Sequence, residues 1–193
     1  MIWEDPEQTY ADRILTAGTV KPIFACAYNN GRVCIFQGET DTITGLPDTY
    51  STGEIAALCF VPGDEYLLIL THQARLDIWS LEKQQLVFSE IQKTMAESMT
   101  PGMRTDMTCD RDRNSRFQVL VRHGLNNSGF WLCIDPKSWV VTAKAENVYS
   151  SALGDGRLYA RRNGKLVSYP LRDAAALKAW AEEVLEEAKQ EGD

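Results

Sequence analysis

No stretch of this sequence approaches the ~18 consecutive apolar residues of a membrane-spanning helix. The opening MIWEDPEQTY is too acidic and polar for a secretory signal. Basic excess is missing as well. Twenty Lys and Arg stand against 27 Asp and Glu, and a net charge of −7 disfavours nonspecific binding to nucleic acid or anionic membrane. Histidine is scarce: His72 and His123 are the only two, which narrows imidazole chemistry. The five cysteines are odd in number and include no C-x-x-C pair. No G-x-S-x-G, H-E-x-x-H or phosphate-loop pattern occurs. These absences lead to the expectation of a cytoplasmic protein with reduced thiols and no catalytic set, metal or cofactor, whose partners are neither nucleic acid nor membrane.

What is present is a succession of short strands. EIAALCFVP ends at a Pro-Gly-Asp turn and is followed by EYLLILTH, RLDIWSL and QLVFSEI, a four-stranded antiparallel meander. Upstream, RILTAGTV, PIFACAYN, RVCIFQ and DTITGLP form a similar set. Downstream come DMTCDRD, RFQVLVRHG, GFWLCID and WVVTAKAE, then VYSSALG, RLYARR and KLVSYPL. Asn30-Gly31, Asp155-Gly156 and Asn163-Gly164 are strong hairpin signals, because both residue types tolerate positive φ. A two-residue turn at Asn30-Gly31 would pair Ala27 with Cys34 and set Cys26 and Cys34 on opposite faces; a three-residue loop would change that count.

Third strands recur at Ile35, Ile78, Ile134 and Tyr169, spacings of 43, 56 and 35 residues. That is a repeat near the ~40–45 residues of a propeller blade. The long interval holds QKTMAESMTPGMRTD, where Met95, Met99 and Met103 recur every four residues. On a helix they would share an adaptable binding face. Pro101 argues against a continuous helix and for a loop tucked onto the domain.

Within the second set the residues resemble a WD40 repeat. Ser51-Thr52-Gly53-Glu54-Ile55 matches the family's approach to its first strand, Val61-Pro62-Gly63-Asp64 the following turn, and Ile78-Trp79 the aromatic end of the third strand. Ser51 stands in place of the family histidine, Gln73 in place of the aspartate of the second-to-third-strand turn, and Ser80 in place of the aspartate after tryptophan. The expectation is therefore a divergent WD40-like or quinoprotein-like propeller without the histidine–aspartate network, held by packing and turns. The fold class expected is all-β: about four four-stranded blades at 11–48, 51–91, 105–146 and 148–172, with an N-terminal arm at 1–10 and an insertion at 92–104.

Beyond Asp173 the period changes to 3.6, and Leu177, Trp180, Ala181, Val184, Leu185 and Ala188 form one stripe of a C-terminal helix. That helix would cover an edge of its own domain or dock a partner. Because the last set has three strands, residues 2–4 or 11–14 could supply a fourth. The blades would close as a small ring, pair with a second copy, or be completed by another polypeptide.

The resemblance implies a non-catalytic interaction scaffold or sensor module with protein partners on the loop rims. On this sequence the expected contacts are Asn29, Asn30, Arg32, His72, Arg75, Met95, Met99, Met103, His123, Asn126, Asn127 and Trp180. The competing expectation is a small-ligand-binding or hydrolytic propeller with a central pocket. Asp110 to Asn114 (DRDRN) has the alternation of half a calcium loop. Ser115 replaces the needed glycine and Val121 the needed glutamate, so a solvated turn is expected there. The basic patch of Arg157, Arg161, Arg162 and Lys165 would be divided between two faces by strand alternation.

Overall fold

The computed structural model describes residues 14–40, 42–47, 50–51, 54–96, 99, 103–112, 114–124, 128–146, 151–154, 157–162 and 165–170. The N-terminal arm, the C-terminal stripe with Trp180, and Asn126 and Asn127 lie outside them.

Apolar alternation and short turns produce four antiparallel sheets in strict chain order. The first contains β1 (Ile14–Ala17), β2 (Ile23–Ala27), β3 (Val33–Gln37) and β4 (Thr42–Gly45). The second contains β5 (Ile55–Phe60), β6 (Tyr66–Thr71), β7 (Arg75–Ser80) and β8 (Gln85–Ile91). A single helical turn, α1 (Lys93–Ala96), follows. The third sheet is β9 (Thr105–Arg111), β10 (Phe117–His123), β11 (Ser128–Asp135) and β12 (Val140–Glu146). The fourth has three strands, β13 (Ser151–Gly154), β14 (Arg157–Arg162) and β15 (Lys165–Pro170).

The chain divides into two compact units, Met1–Ile91 and Gln92–Asp193. In the first unit two sheets share a core. Ile23, Ala25, Ala27, Val33 and Ile35 from one sheet meet Leu58, Phe60, Leu67 and Ile69 from the other, and Trp79 packs against the same cluster. The opposite face of the second sheet, with Leu68, Leu70, Leu76 and Ile78, is also fully buried. In the second unit Leu120, Trp131 and Cys133 of the third sheet pack with Leu158 of the fourth. Strands buried on both faces read as continuous apolar runs, which is why YLLIL and QVLV show little alternation.

One register differs from the two-residue turn expected at Asn30-Gly31. The Tyr28 amide donates to the Arg32 carbonyl at 2.8 Å and the Gly31 amide to the Tyr28 carbonyl at 2.9 Å, closing a three-residue loop with Gly31 at φ 89°. Ala27 then pairs with Val33, and Cys26 sits directly opposite Cys34 on one face. The extra residue is accommodated because Asn-Gly also suits a type I turn followed by a left-handed residue. The second sheet repeats this turn 43 residues later, with Ala74 at φ 58° donating to the Thr71 carbonyl at 3.0 Å.

Candidate functional site

The rim formed by the second-to-third-strand turns carries several of the expected contact residues. Asn29, Asn30 and Arg32 are exposed on the first hairpin, where Asn30 Oδ1 accepts the Arg32 amide at 3.0 Å. Arg75 is instead engaged inward. Its Nε donates to Asp77 Oδ2 at 3.1 Å, its guanidinium pairs with Glu54 at 3.0 Å, and it lies over the Tyr50 ring at 5.4 Å. Tyr50 donates its hydroxyl to Asp77 Oδ2 at 2.9 Å, and Ser89 donates to Asp77 Oδ1 at 2.6 Å.

This cluster corrects the expectation that packing and turns alone replace the lost histidine–aspartate network. Tyr50 and Glu54, from the segment entering the second sheet, are tied to Arg75 and Asp77 on its third strand. A buried carboxylate with three donors meets the requirement that a desolvated charge be paired and hydrogen-bonded. Sequence reading missed it because its five members are spread from residue 50 to residue 89.

The two histidines sit in different environments. His72 is half-buried, its Nδ1 has no hydrogen-bond partner, and burial lowers its pKa. His123 is buried, with Nδ1 2.8 Å from Thr105 Oγ1. Met99 is buried and Met103 exposed, so the methionine spacing does not produce one helical face: α1 ends at Ala96. Met95 lies in α1. His123 and Met99 are thus withdrawn from the surface on which the rim reading put them. Asp112 organises its own turn, accepting the Asn114 and Arg116 amides at 2.8 and 2.9 Å and the Arg116 guanidinium at 2.7 Å. Among the described residues no cluster of three or more metal-ligating side chains occurs.

On the opposite rim of the first unit, a cleft of about 520 Å³ opens between the two sheets, lined by Lys21, Glu39, Glu65, Tyr66 and Glu82. Its floor is organised by Asp64, fully buried at φ 56°. Burial raises the carboxyl pKa, but the amides of Lys21, Thr19 and Val20, with the Thr19 hydroxyl, outweigh that and hold it below the ordinary carboxyl range. The three amides lie 2.7 Å from the carboxylate oxygens.

The first sheet has a second apolar face. Leu15, Cys26, Cys34 and Gly45 form one cross-strand row; Ala17, Phe24, Phe36 and Ile43 form the next. Phe24 and Phe36 stack at 4.3 Å. Cys26, Cys34 and Phe36 are buried together on this face with Tyr28 against them, while Leu15, Phe24 and Ile43 are 65%, 39% and 53% exposed.

No protein-family model and no curated protein matches the sequence. Among solved structures the chain is similar to the WD40 domain of SCAP from fission yeast, with TM-score 0.57 and 11% identity over 83% of this chain. It is likewise similar to the fission yeast SREBP–SCAP binding domains, with TM-score 0.56 and 12% identity over 88% of this chain. The fold is that of a divergent WD40-like propeller. Its sheets are blades, and the chain spans 42% and 51% of the lengths of those two structures. Each blade keeps its strands in chain order, and in the second the Asp77 cluster ties the entering segment to the third strand.

Proposed function

We propose that this chain is a non-catalytic protein-interaction module, a scaffold or sensor subunit whose WD40-like blades are completed by a partner chain or by self-association. The observation that carries this reading is the pair of large apolar side chains, Leu15 and Phe24, exposed on the second face of the first blade beside the buried Cys26, Cys34 and Phe36. Contiguous apolar surface of this kind marks protein interfaces rather than solvated faces. One structure similar to this chain is a complex of the fission yeast SREBP–SCAP binding domains, which favours a partner-binding use of the fold.

A small-ligand or hydrolytic reading has less to draw on. In the first unit's cleft the buried carboxylate of Asp64 is already committed to three backbone amides, and His72 Nδ1 on the rim has no hydrogen-bond partner among the described residues. We also take the protein to be cytoplasmic, a setting that suits the free thiols at all five cysteines.

The test is the mass of the intact assembly, measured by native mass spectrometry on the tagged chain gently isolated from its own cells and on the purified chain alone. The proposal expects a defined assembly larger than 21.7 kDa from cells. A chain that is monomeric in both preparations, and that turns over substrates in an activity screen, would contradict it.

A further inference from the structure

The three-residue loop of the first hairpin sets Cys26 directly across from Cys34. Gly38 donates its amide to the Pro22 carbonyl at 2.7 Å, and Tyr28 donates to the Arg32 carbonyl at 2.8 Å. Counting inward by twos from either end makes the two cysteines a hydrogen-bonded pair, whose Cα atoms stand about 5.5 Å apart. Cα separations of about 4.4–6.8 Å admit a disulfide. Both thiols are free, and both lie in one buried cluster with Phe36, against which Tyr28 packs.

Among the described residues no other cysteine faces a cysteine across a ladder. Cys59 pairs with Leu68, Cys109 with Val119, and Cys133 with Gln118 and Ala143. Cys59 and Cys109 are the more accessible thiols, so accessibility and pairing point to different residues.

The cross-strand row Leu15, Cys26, Cys34, Gly45 supplies an approach for a small reagent. At its β4 end Gly45 has no side chain, and a Cβ there would meet no atom within 4 Å. Cys34, next to that opening, is 7% exposed against 2% for Cys26.

We infer that Cys26 and Cys34 form a reversible disulfide, closed by a hydroperoxide and opened by a small thiol such as glutathione. Hydrogen peroxide, entering beside Gly45, transfers one oxygen to the Cys34 sulfur and leaves as water, giving a sulfenic acid. Cys26 sulfur attacks the Cys34 sulfur, the S–S bond forms, and the sulfenic hydroxyl departs with the Cys26 proton as a second water. The two thiols lose two electrons and the peroxide takes both. Two glutathione thiols return them by exchange and become glutathione disulfide.

Reversibility follows from the spacing. Cβ atoms of a hydrogen-bonded pair stand about 5.5 Å apart, whereas those of a disulfide average about 3.8 Å. Closure must draw β2 and β3 together, and bonds made against such a deviation are the readily reduced ones. The turn between the cysteines carries the exposed Asn29, Asn30 and Arg32. A Cβ on Gly31 would collide with the Tyr50 carbonyl, so the tip of this turn rests on the segment entering the second blade. The bridge therefore acts on the rim hairpin, whether or not the chain binds a partner.

The test treats the purified, reduced full chain with hydrogen peroxide, blocks remaining thiols with iodoacetamide in denaturant, and maps the peptides by mass spectrometry. Trypsin cuts after Arg32 and Glu-C after Glu39, which separates Cys26, Cys34 and Cys59. The Cys26–Cys34 linked peptide is expected in at least tenfold excess over any other cysteine pair. Reduced glutathione should return both residues to the alkylated form. Cys26→Ala should trap the Cys34 sulfenic acid and raise its dimedone labelling at least tenfold, with an unchanged circular dichroism spectrum. Gly45→Val leaves both thiols in place and should slow bridging at least threefold by filling the approach.

Oxidation of Cys59 or Cys109 ahead of this pair would overturn the inference. Sulfinic acid at Cys34 without a bridge, or a bridge that glutathione does not open, would overturn it as well. Equal bridging rates in Gly45→Val and the wild type would remove the route by which the oxidant arrives, and with it the proposal.

Discussion

Asp64 Oδ1 lies 2.7 Å from the amide of Thr19, joining the first turn of the second blade to the first loop of the blade before it. The same carboxylate accepts the next two amides, Val20 and Lys21. Three consecutive N–H groups around a buried anion form a nest that neither loop supplies alone. The contact fixes the register of two stacked blades at their rim, next to the cleft.

Asp64→Ala should therefore cost about 1–3 kcal/mol, the range for leaving buried donors unsatisfied. Asp64→Asn should cost somewhat less, because one oxygen still accepts. Urea unfolding at neutral pH, followed by tryptophan fluorescence, gives both values.

Acid should act through the same residue. The folded-state pKa of Asp64 is lowered, so its share of stability is complete above the ordinary carboxyl range. That share is lost as pH falls from about 5 through the folded value. The wild type is expected to lose more stability than Asp64→Asn over that interval. Equal slopes in urea titrations at a series of pH values would remove Asp64 from the explanation.

Asp77→Ala tests the replacement for the missing histidine–aspartate network. It would leave the Tyr50 hydroxyl, the Ser89 hydroxyl and the Arg75 guanidinium without their shared acceptor. A loss of about 3 kcal/mol is expected, as for breaking a buried ion pair from one side. The double variant Asp77→Ala with Tyr50→Phe should recover part of it, since a stranded hydroxyl is then removed while Arg75 keeps its pairing with Glu54. A double-mutant cycle on thermal unfolding measures that coupling.

His72 gives a second pH dependence in a different window. Burial lowers its folded-state pKa, so the unfolded chain takes up a proton first as pH falls below about 7. Stability should decline toward the folded pKa, and His72→Gln should flatten that limb without affecting the one below pH 5. The two limbs are separable in one series of denaturation curves.

Gly129 stands where a Cβ would collide with the Val121 carbonyl in the β10–β11 ladder. Because that contact is backbone, it cannot relax as a side chain would. Gly129→Ala should cost about 1–3 kcal/mol as an overpacked site, and amide exchange along β10 should rise. Gly45→Ala, where a Cβ meets no atom within 4 Å, should have little effect and serves as the control.

Strand succession and the 43-residue spacing were legible in the sequence because the apolar runs and turn residues that cause them are local. The Asn30-Gly31 loop was not, since the same dipeptide satisfies two turn geometries that differ by one residue, and the register of Cys26 against Cys34 hangs on that choice. Asp77 and Asp64 were also hidden as organisers. Each gathers donors from residues up to 45 positions away, and nothing in the local pattern marks an aspartate as the acceptor. Projecting the 43-residue spacing onto single positions pairs Leu15 with Leu58 and Phe24 with Leu67, yet the first of each pair is exposed and the second buried, a difference that the sequence pattern does not carry.

The most direct measurement is a cryo-electron microscopy map of the assembly isolated from cells. Density of a further polypeptide, a partner or a second copy, is expected against the blades, with sheets about 10 Å apart where two blades stack. A map that holds one copy of this chain and nothing else would contradict the interaction-module reading.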